Sequence, residues 1–343
     1  MTESQRTVDA HAVSRWLAAL GVEFAAPLRF QRIGLGQSNL TYRVTDDANR
    51  AWVLRRPPLG HLLASAHDVM REARIIAALA DTDVPVPRIF GVTADSEFSD
   101  VPLVLMEFVD GLAVDTMDVA EALTPRQRRK IALSLPRTLA AVHALDLANI
   151  RLSDLASHKP YAQRQLKRWS GQWELSKTRE LPEIDDLTRR LAVAAPEHRE
   201  TTLVHGDFHL RNLINSTETN EVVAVLDWEL STLGDPLADM GTLLTYWPEP
   251  GETTGGEFAP STLEGFPDRA EMARLYIEAT GRDPAALQYW HALGLWKLAI
   301  IAEGVLRRAM EEPQNRAAAG TPTVEQITSL LHKAHEIADT AGL

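Results

Sequence analysis

Two short apolar segments, Thr202–Val204 and Leu213–Ile214, bracket the polar run His205-Gly206-Asp207-Phe208-His209-Leu210-Arg211-Asn212, and a third, Val222–Leu226, ends on Asp227. No other stretch constrains the fold as strongly. Strand-length apolar runs separated by charged loops leave ionisable side chains at strand ends, where the strands hold them and solvent reaches them. A hairpin joining Asn212 to Asp227 would hold an amide oxygen and a carboxylate near one cation. Phosphoryl transfer asks little covalent chemistry of a protein. It needs magnesium held by oxygen ligands, a carboxylate beside the attacking hydroxyl, and groups that hold the phosphates. On this reading Asp207 is the catalytic base that accepts the hydroxyl proton, and Asn212 and Asp227 are the metal ligands.

Upstream of this run the apolar period changes several times. Residues 8–20 carry Val13, Trp16, Leu17 and Leu20 at helical spacing, with Gly21 as the stop. Leu28–Ile33, Leu40–Val44 and Ala51–Arg55 read as strands joined by turns over 34–39 and 46–49. A helix over 66–80 follows, with Val69, Ile75, Ile76 and Leu79 on one face, and then strands Arg88–Val92 and Leu103–Phe108. This order predicts an α+β lobe, an antiparallel sheet with one packed helix. Beyond Asp110-Gly111 helices dominate, over 125–145, 160–177, 184–195, 235–246, 268–280, 284–311 and 322–340. The segment 248–265, rich in Pro, Gly and Thr, is expected to be a flexible loop.

The order His-x-Asp-x-x-x-x-Asn, then an apolar strand ending in Asp, resembles the catalytic and metal-binding segments of protein kinases. His205-Gly206-Asp207-Phe208-His209 with Asp227-Trp228-Glu229 and Gly234-Asp235-Pro236-Leu237-Ala238-Asp239 is more similar to the aminoglycoside phosphotransferase and choline kinase family. Within that family it resembles the phosphotransferase-like domain fused to acyl-CoA dehydrogenases in some animal proteins. Gly36-Gln37-Ser38-Asn39 and Val53-Leu54-Arg55-Arg56-Pro57-Pro58 add to the likeness, which spans about residues 28–245. The resemblance implies a two-lobed protein-kinase-like fold: a nucleotide-binding lobe over 1–106, a hinge over 107–112, and a helical lobe with the catalytic loop and acceptor pocket over 113–343. It implies ATP and Mg2+ as cofactors and a small-molecule hydroxyl as acceptor, a hydroxyacyl-CoA or hydroxy acid, with aminoglycosides and choline-type amino alcohols as rivals.

Residue by residue, the resemblance makes His205 and Asp239 braces of the catalytic loop. It sets Gly36, Gln37, Ser38 and Asn39 over the phosphates, and pairs Arg55 with Glu72 where the family usually has a lysine. Glu107 to Val109 become the backbone that reads the adenine edge. Strand alternation sends Arg55 and Arg56 to opposite faces, so one of them alone points at phosphate. Trp247, Tyr289, Trp290, Trp296 and Lys297 fall where relatives hold their acceptor, though helix packing accounts for the aromatics equally well. Lys297, inside an apolar helix, either reaches the surface or meets an anionic substrate. His209 reads as shaping the loop, and Asp235 as a helix cap before Pro236.

Composition bounds the alternatives. There are no cysteines in the 343 residues, which excludes disulfides, thiolate catalysis and cysteine zinc sites and fits a reducing cytoplasm. The net charge of −12 and the lack of a basic stripe argue against a nucleic-acid partner. The first residues show no signal peptide, and Trp290–Val305 is interrupted by His291, Lys297 and Glu303, so neither a leader nor a membrane span is expected. The oligomeric state stays open. A pseudokinase scaffold remains a second class of function. A phosphohydrolase would need a nucleophile or a denser ligand cluster.

Overall fold

The computed structural model describes residues 8–34, 39–57, 68–156, 159–311 and 320–343. Gly36, Gln37 and Ser38, assigned above to the phosphate turn, lie outside these residues. The chain forms two compact units, Met1–Asp110 with Val223–Glu229, and Gly111–Val222 with Leu230–Leu343.

In the first unit, five strands form one antiparallel sheet in the order β1-β2-β3-β5-β4: β1 Arg29–Ile33, β2 Leu40–Thr45, β3 Ala51–Arg56, β4 Ile89–Thr93 and β5 Leu103–Glu107. The β2–β3 turn is tied by Asp46, whose carboxylate accepts the backbone N–H groups of Ala25, Ala48 and Arg50. Helix α1, Ala10–Ala19, capped by Asp9, lays Val13, Trp16 and Leu17 against Leu54, Leu103 and Leu105. Helix α2, Val69–Leu79, capped by Asp68, packs Val69 and Ala73 against Val104 and Met106. Odd and even positions of β5 therefore face different helices, which is why a strand with four buried residues in a row occurs here. The packed helix of the sequence reading is α2, and α1 covers the other face. Strand β8, Val222–Val225, joins this unit through Val225, whose N–H donates to Pro85 O at 2.8 Å.

The second unit is mainly helical. The six-residue helix α3, Met117–Ala122, was not expected; it buries only Ala120, too little for a periodic signal. Helix α4, Pro125–His143, opens on a Thr124/Gln127 capping box. Helices α5, Tyr161–Ser176, and α6, Pro182–Val193, follow. Strand β6, Thr202–Val204, pairs antiparallel with β9, Thr232–Gly234, and β7 is Leu213–Asn215. Helices α7, Pro236–Thr245, α8, Arg269–Thr280, α9, Leu287–Glu311, and α10, Val324–Thr340, complete the unit. α7 and α9 touch backbone to backbone: a Cβ on Gly241 would stand 2.6 Å from the Trp290 carbonyl carbon. That close crossing sets the height of Asp239 on α7 and of Lys297 on α9.

The segment 248–265 differs from its expectation. Ser261 Oγ donates to Pro248 O at 2.6 Å, and Glu252 pairs with both Arg269 and Lys333. Arg128 donates to Glu264 O and to the α3 carbonyls of Ala120 and Glu121. Side-chain anchors replace the missing secondary structure, and such anchors leave no periodic trace in sequence. Among the described residues no helix is long and apolar enough to cross a membrane.

Candidate active site

In the second unit the catalytic-loop candidates converge. Strand β6 ends at Val204 and the chain turns at Gly206, whose φ of +85° favours glycine; a Cβ there would lie 2.7 Å from Leu230 O. The turn is clamped by Asp239, in the first turn of α7 and 1% exposed. Its Oδ2 accepts His205 N–H at 2.6 Å and its Oδ1 accepts Gly206 N–H at 2.8 Å. His143 of α4 adds a third contact, Nε2 to Asp239 Oδ2 at 3.2 Å, with Tyr276 OH at 2.7 Å from its Nδ1. A carboxylate only accepts, so Nε2 carries the proton and Nδ1 accepts from the phenol. Burial pushes the His143 ring below its ordinary range and keeps it neutral, against the pull of Asp239.

This clamp aims Asp207. The Asp207 N–H donates to His205 Nδ1 at 3.2 Å, which makes His205 part of the loop's frame. Asn212, in a single 3-10 turn over Leu210–Asn212, donates from Nδ2 to Asp207 O at 2.9 Å and to Asp207 Oδ2 at 3.2 Å. The Asn212 amide nitrogen is thereby engaged by Asp207. His209 Nε2 lies 3.3 Å from Asp207 Oδ2. Burial raises the Asp207 carboxyl, but His209, by its charge and its hydrogen bond, and the Lys297 ammonium outweigh it and hold the group below the usual carboxylate range. Asp207 is therefore an ionised acceptor at neutral pH, with its side chain 27% exposed.

In the first unit Arg55 sits among three carboxylates. Its Nη2 is 2.6 Å from Asp227 Oδ1 and 3.5 Å from Glu229 Oε2, and its Nε is 3.0 Å from Glu72 Oε2. The alternation of β3 decides between the two arginines: Arg55 shares the α2 face, whereas Arg56 is buried on the opposite face, 3.8 Å from Asp100. Asp227 has φ of +65°, uncommon for a residue with a side chain and a mark of local strain. Asn39 is buried and donates to Glu229 Oε2 at 3.0 Å. The Glu107 N–H donates to Arg88 O at 2.8 Å and its carboxylate accepts the Arg88 N–H, so this residue is committed to β4. Val109 lies beside Phe108, whose ring carries the Arg43 guanidinium at 4.4 Å.

One guanidinium cannot neutralise three carboxylates. The most buried of them, Glu72, is pushed up to about 7, by burial first and by Asp227 and Glu229 beyond it, against Arg55. A carboxyl raised on folding binds its proton more tightly in the native state, so its stabilising effect is full below the unfolded value and is lost as pH rises through about 7. In chelator, the protein should lose on the order of 2–3 kcal/mol between about pH 4.5 and 7.5 from this group. Denaturant titrations of wild type and Glu72→Gln at several pH values check this. Parallel pH profiles for the two proteins would refute it.

The acceptor-side candidates fare differently. Trp247 is 1% exposed and spends its N–H on Pro267 O, and Trp290 is 2% exposed between Tyr161 and Tyr289. Tyr289 and Trp296 are buried as well. These four are core side chains. Lys297 is half-buried, and its Nζ donates to Gly206 O at 3.1 Å and lies over the Trp169 ring. Sequence reasoning missed His143, Tyr276 and Tyr246, the last stacked on His209 with ring centroids 4.3 Å apart. A polar residue on an apolar helical stripe, as His143 is beside Leu139 and Val142, was the available signal.

The sequence profile of the phosphotransferase enzyme family, APH, matches residues 29–290. The chain is 34% identical to mouse acyl-CoA dehydrogenase family member 10 over 332 residues, 95% of this chain and 30% of that protein. It is 33% identical to rat acyl-CoA dehydrogenase family member 11 over 311 residues, 88% of this chain and 39% of that protein. It thus spans less than two-fifths of either relative's length. Among solved structures, a Ralstonia eutropha chain assigned as an aminoglycoside phosphotransferase matches with a TM-score of 0.77 and 30% identity, over 97% of both chains. A thermostable aminoglycoside phosphotransferase APH(4)-Ia, solved with AMP-PNP and hygromycin B, matches with a TM-score of 0.62 and 13% identity over 96% of this chain and 99% of that one, a likeness of fold.

Proposed function

The chain belongs to the phosphotransferase enzyme family, and from that premise we propose that it is an ATP- and magnesium-dependent small-molecule kinase acting on a hydroxyl. The observation that carries the reading is the Asp207 carboxylate, held ionised by His209, Lys297 and His205 and oriented by Asn212. An ionised carboxylate within hydrogen-bond reach of an alcohol accepts its proton as the new P–O bond forms. Asp239 and Lys297 hold the backbone that carries it.

The donor chemistry fits a hard dication. The available donors are oxygens: Asp227 in the first unit, the Asn212 amide oxygen in the second. Among the described residues no three acidic or imidazole side chains form a protein-only metal cage. Magnesium does not need one, since it takes most of its ligands from water and phosphates. When bound, it neutralises charge on the transferring phosphoryl group. The bound nucleotides of the structural relatives support ATP as donor. Gly36, Gln37, Ser38 and Asn39 remain the proposed phosphate turn, and the backbone of Glu107 to Val109 the proposed adenine contact.

The acyl-CoA dehydrogenase names of the relatives favour a hydroxyacyl-CoA or hydroxy acid as acceptor. Magnesium-dependent ADP release in a panel of hydroxyacyl-CoAs, free hydroxy acids, aminoglycosides and choline tests this. Release with the first two groups is expected. Nucleotide binding with no turnover across the panel would replace the kinase with a scaffold.

A further inference from the structure

A cavity of about 250 Å³ opens in the second unit beside Tyr246. Leu298 and Ala302 of α9 and Leu330 of α10 give it an apolar wall. Two other lining residues, Arg211 and Thr254, each hold a buried polar atom with no hydrogen-bond partner, Arg211 Nε and Thr254 Oγ1. Buried polar atoms are paired in the great majority of cases, so both lining residues keep hydrogen-bonding capacity that the described residues do not use. The Arg211 guanidinium stacks on Phe258, another lining residue, at 3.8 Å, which fixes its plane. No carboxylate lies within ion-pair distance of it among the described residues, although Asp115 contributes a favourable charge from farther away.

We propose that this cavity is the anion-reading end of the acceptor pocket, where Arg211 and Thr254 bind the carboxylate of a short hydroxy acid. The proposal rests on the kinase reading above and narrows its acceptor. The geometry ties the cavity to the base: Arg211 lies in the catalytic loop four residues after Asp207, and Tyr246 lines the cavity while stacking on His209, which bonds Asp207. A planar guanidinium offers paired donors that match a carboxylate, the threonine hydroxyl adds a third, and the leucine and alanine wall takes an alkyl chain. An aminoglycoside or choline pocket needs the reverse arrangement of charge. The one carboxylate of this lining, Glu257, is exposed, while the arginine is half-buried.

The test uses hexanoates hydroxylated at carbon 3, 4, 5 or 6 and the matching hydroxyhexanamides, which keep the alcohol and lose the charge. Calorimetric binding to the whole chain should favour at least one acid over its amide by about tenfold or more. Arg211→Gln should bring that ratio close to one, Arg211→Lys should restore part of it, and Thr254→Val should weaken acid binding roughly threefold. Thermal melts establish that each variant is folded. Equal binding of acid and amide by wild type, or a ratio unchanged in Arg211→Gln, overturns the assignment. ADP release is measured on the same panel. Arg211-dependent acid binding without release keeps the site and removes the kinase reading. Release with an Arg211-independent ratio does the opposite.

Discussion

Asp207→Asn is expected to lower phosphoryl transfer by about 10³-fold while leaving the fold and nucleotide affinity in place. Asparagine has the same shape, and its side-chain oxygen can still accept from Asn212, which donates to Asp207 at 3.2 Å in the native loop. What it cannot do is take a proton. The surroundings of Asp207 are arranged for a charged acceptor: His209 at 3.3 Å, Lys297 anchored on the neighbouring Gly206 carbonyl, and His205 behind the backbone. Together they overcome a burial that by itself would favour the neutral acid. An amide gains nothing from those charges. ADP release with the best acceptor of the panel, together with nucleotide binding by calorimetry, reads the two halves separately. If more than a tenth of the activity survives, Asp207 is not the base.

Asp239→Ala should be the most damaging single change to the second unit. The side chain is fully enclosed and ends three hydrogen bonds: to the His205 and Gly206 N–H groups and to His143. Alanine removes the acceptor shared by two backbone donors and an imidazole in a buried site. The expected loss is about 3–5 kcal/mol. Asp239→Asn restores one acceptor but turns an amide N–H toward donors, so an intermediate loss is expected. Chemical denaturation gives the magnitude. Amide hydrogen exchange locates the damage, with His205 and Gly206 losing protection first. A melt within 1 kcal/mol of wild type would mean that Asp239 does not clamp the loop.

Legibility in the sequence varied with the range of the interaction. The antiparallel sheet and its packed helix could be read because Leu40, Tyr42 and Val44 alternate and Val69, Ile75, Ile76 and Leu79 recur at helical spacing. Helix α3 could not, since one buried alanine makes no pattern. The tryptophans could be read either way for a related reason. An aromatic side chain in an apolar helix has the same spacing whether it faces a ligand or a neighbouring helix, and Trp290 turned out to lie against Tyr161.

The sequence by itself determined the local order of the proposed site. Asp207, Asn212 and Asp227 belong to short runs whose spacing is local, and local spacing is preserved in any fold that keeps the strands. It also put Arg55 and Arg56 on opposite faces, because alternation is a property of a strand alone. Tertiary structure brought α2 and Glu72 to the face of β3 that carries Arg55. It placed the Lys297 ammonium on the Gly206 carbonyl of the catalytic loop. It joined His143, Asp239 and Tyr276, which lie on three helices, and it brought Arg211 and Thr254 to the lining of one cavity. Partners far apart in the chain meet only when helices cross, and those crossings depend on close approaches such as Gly241 against Trp290, which no periodicity in the chain records.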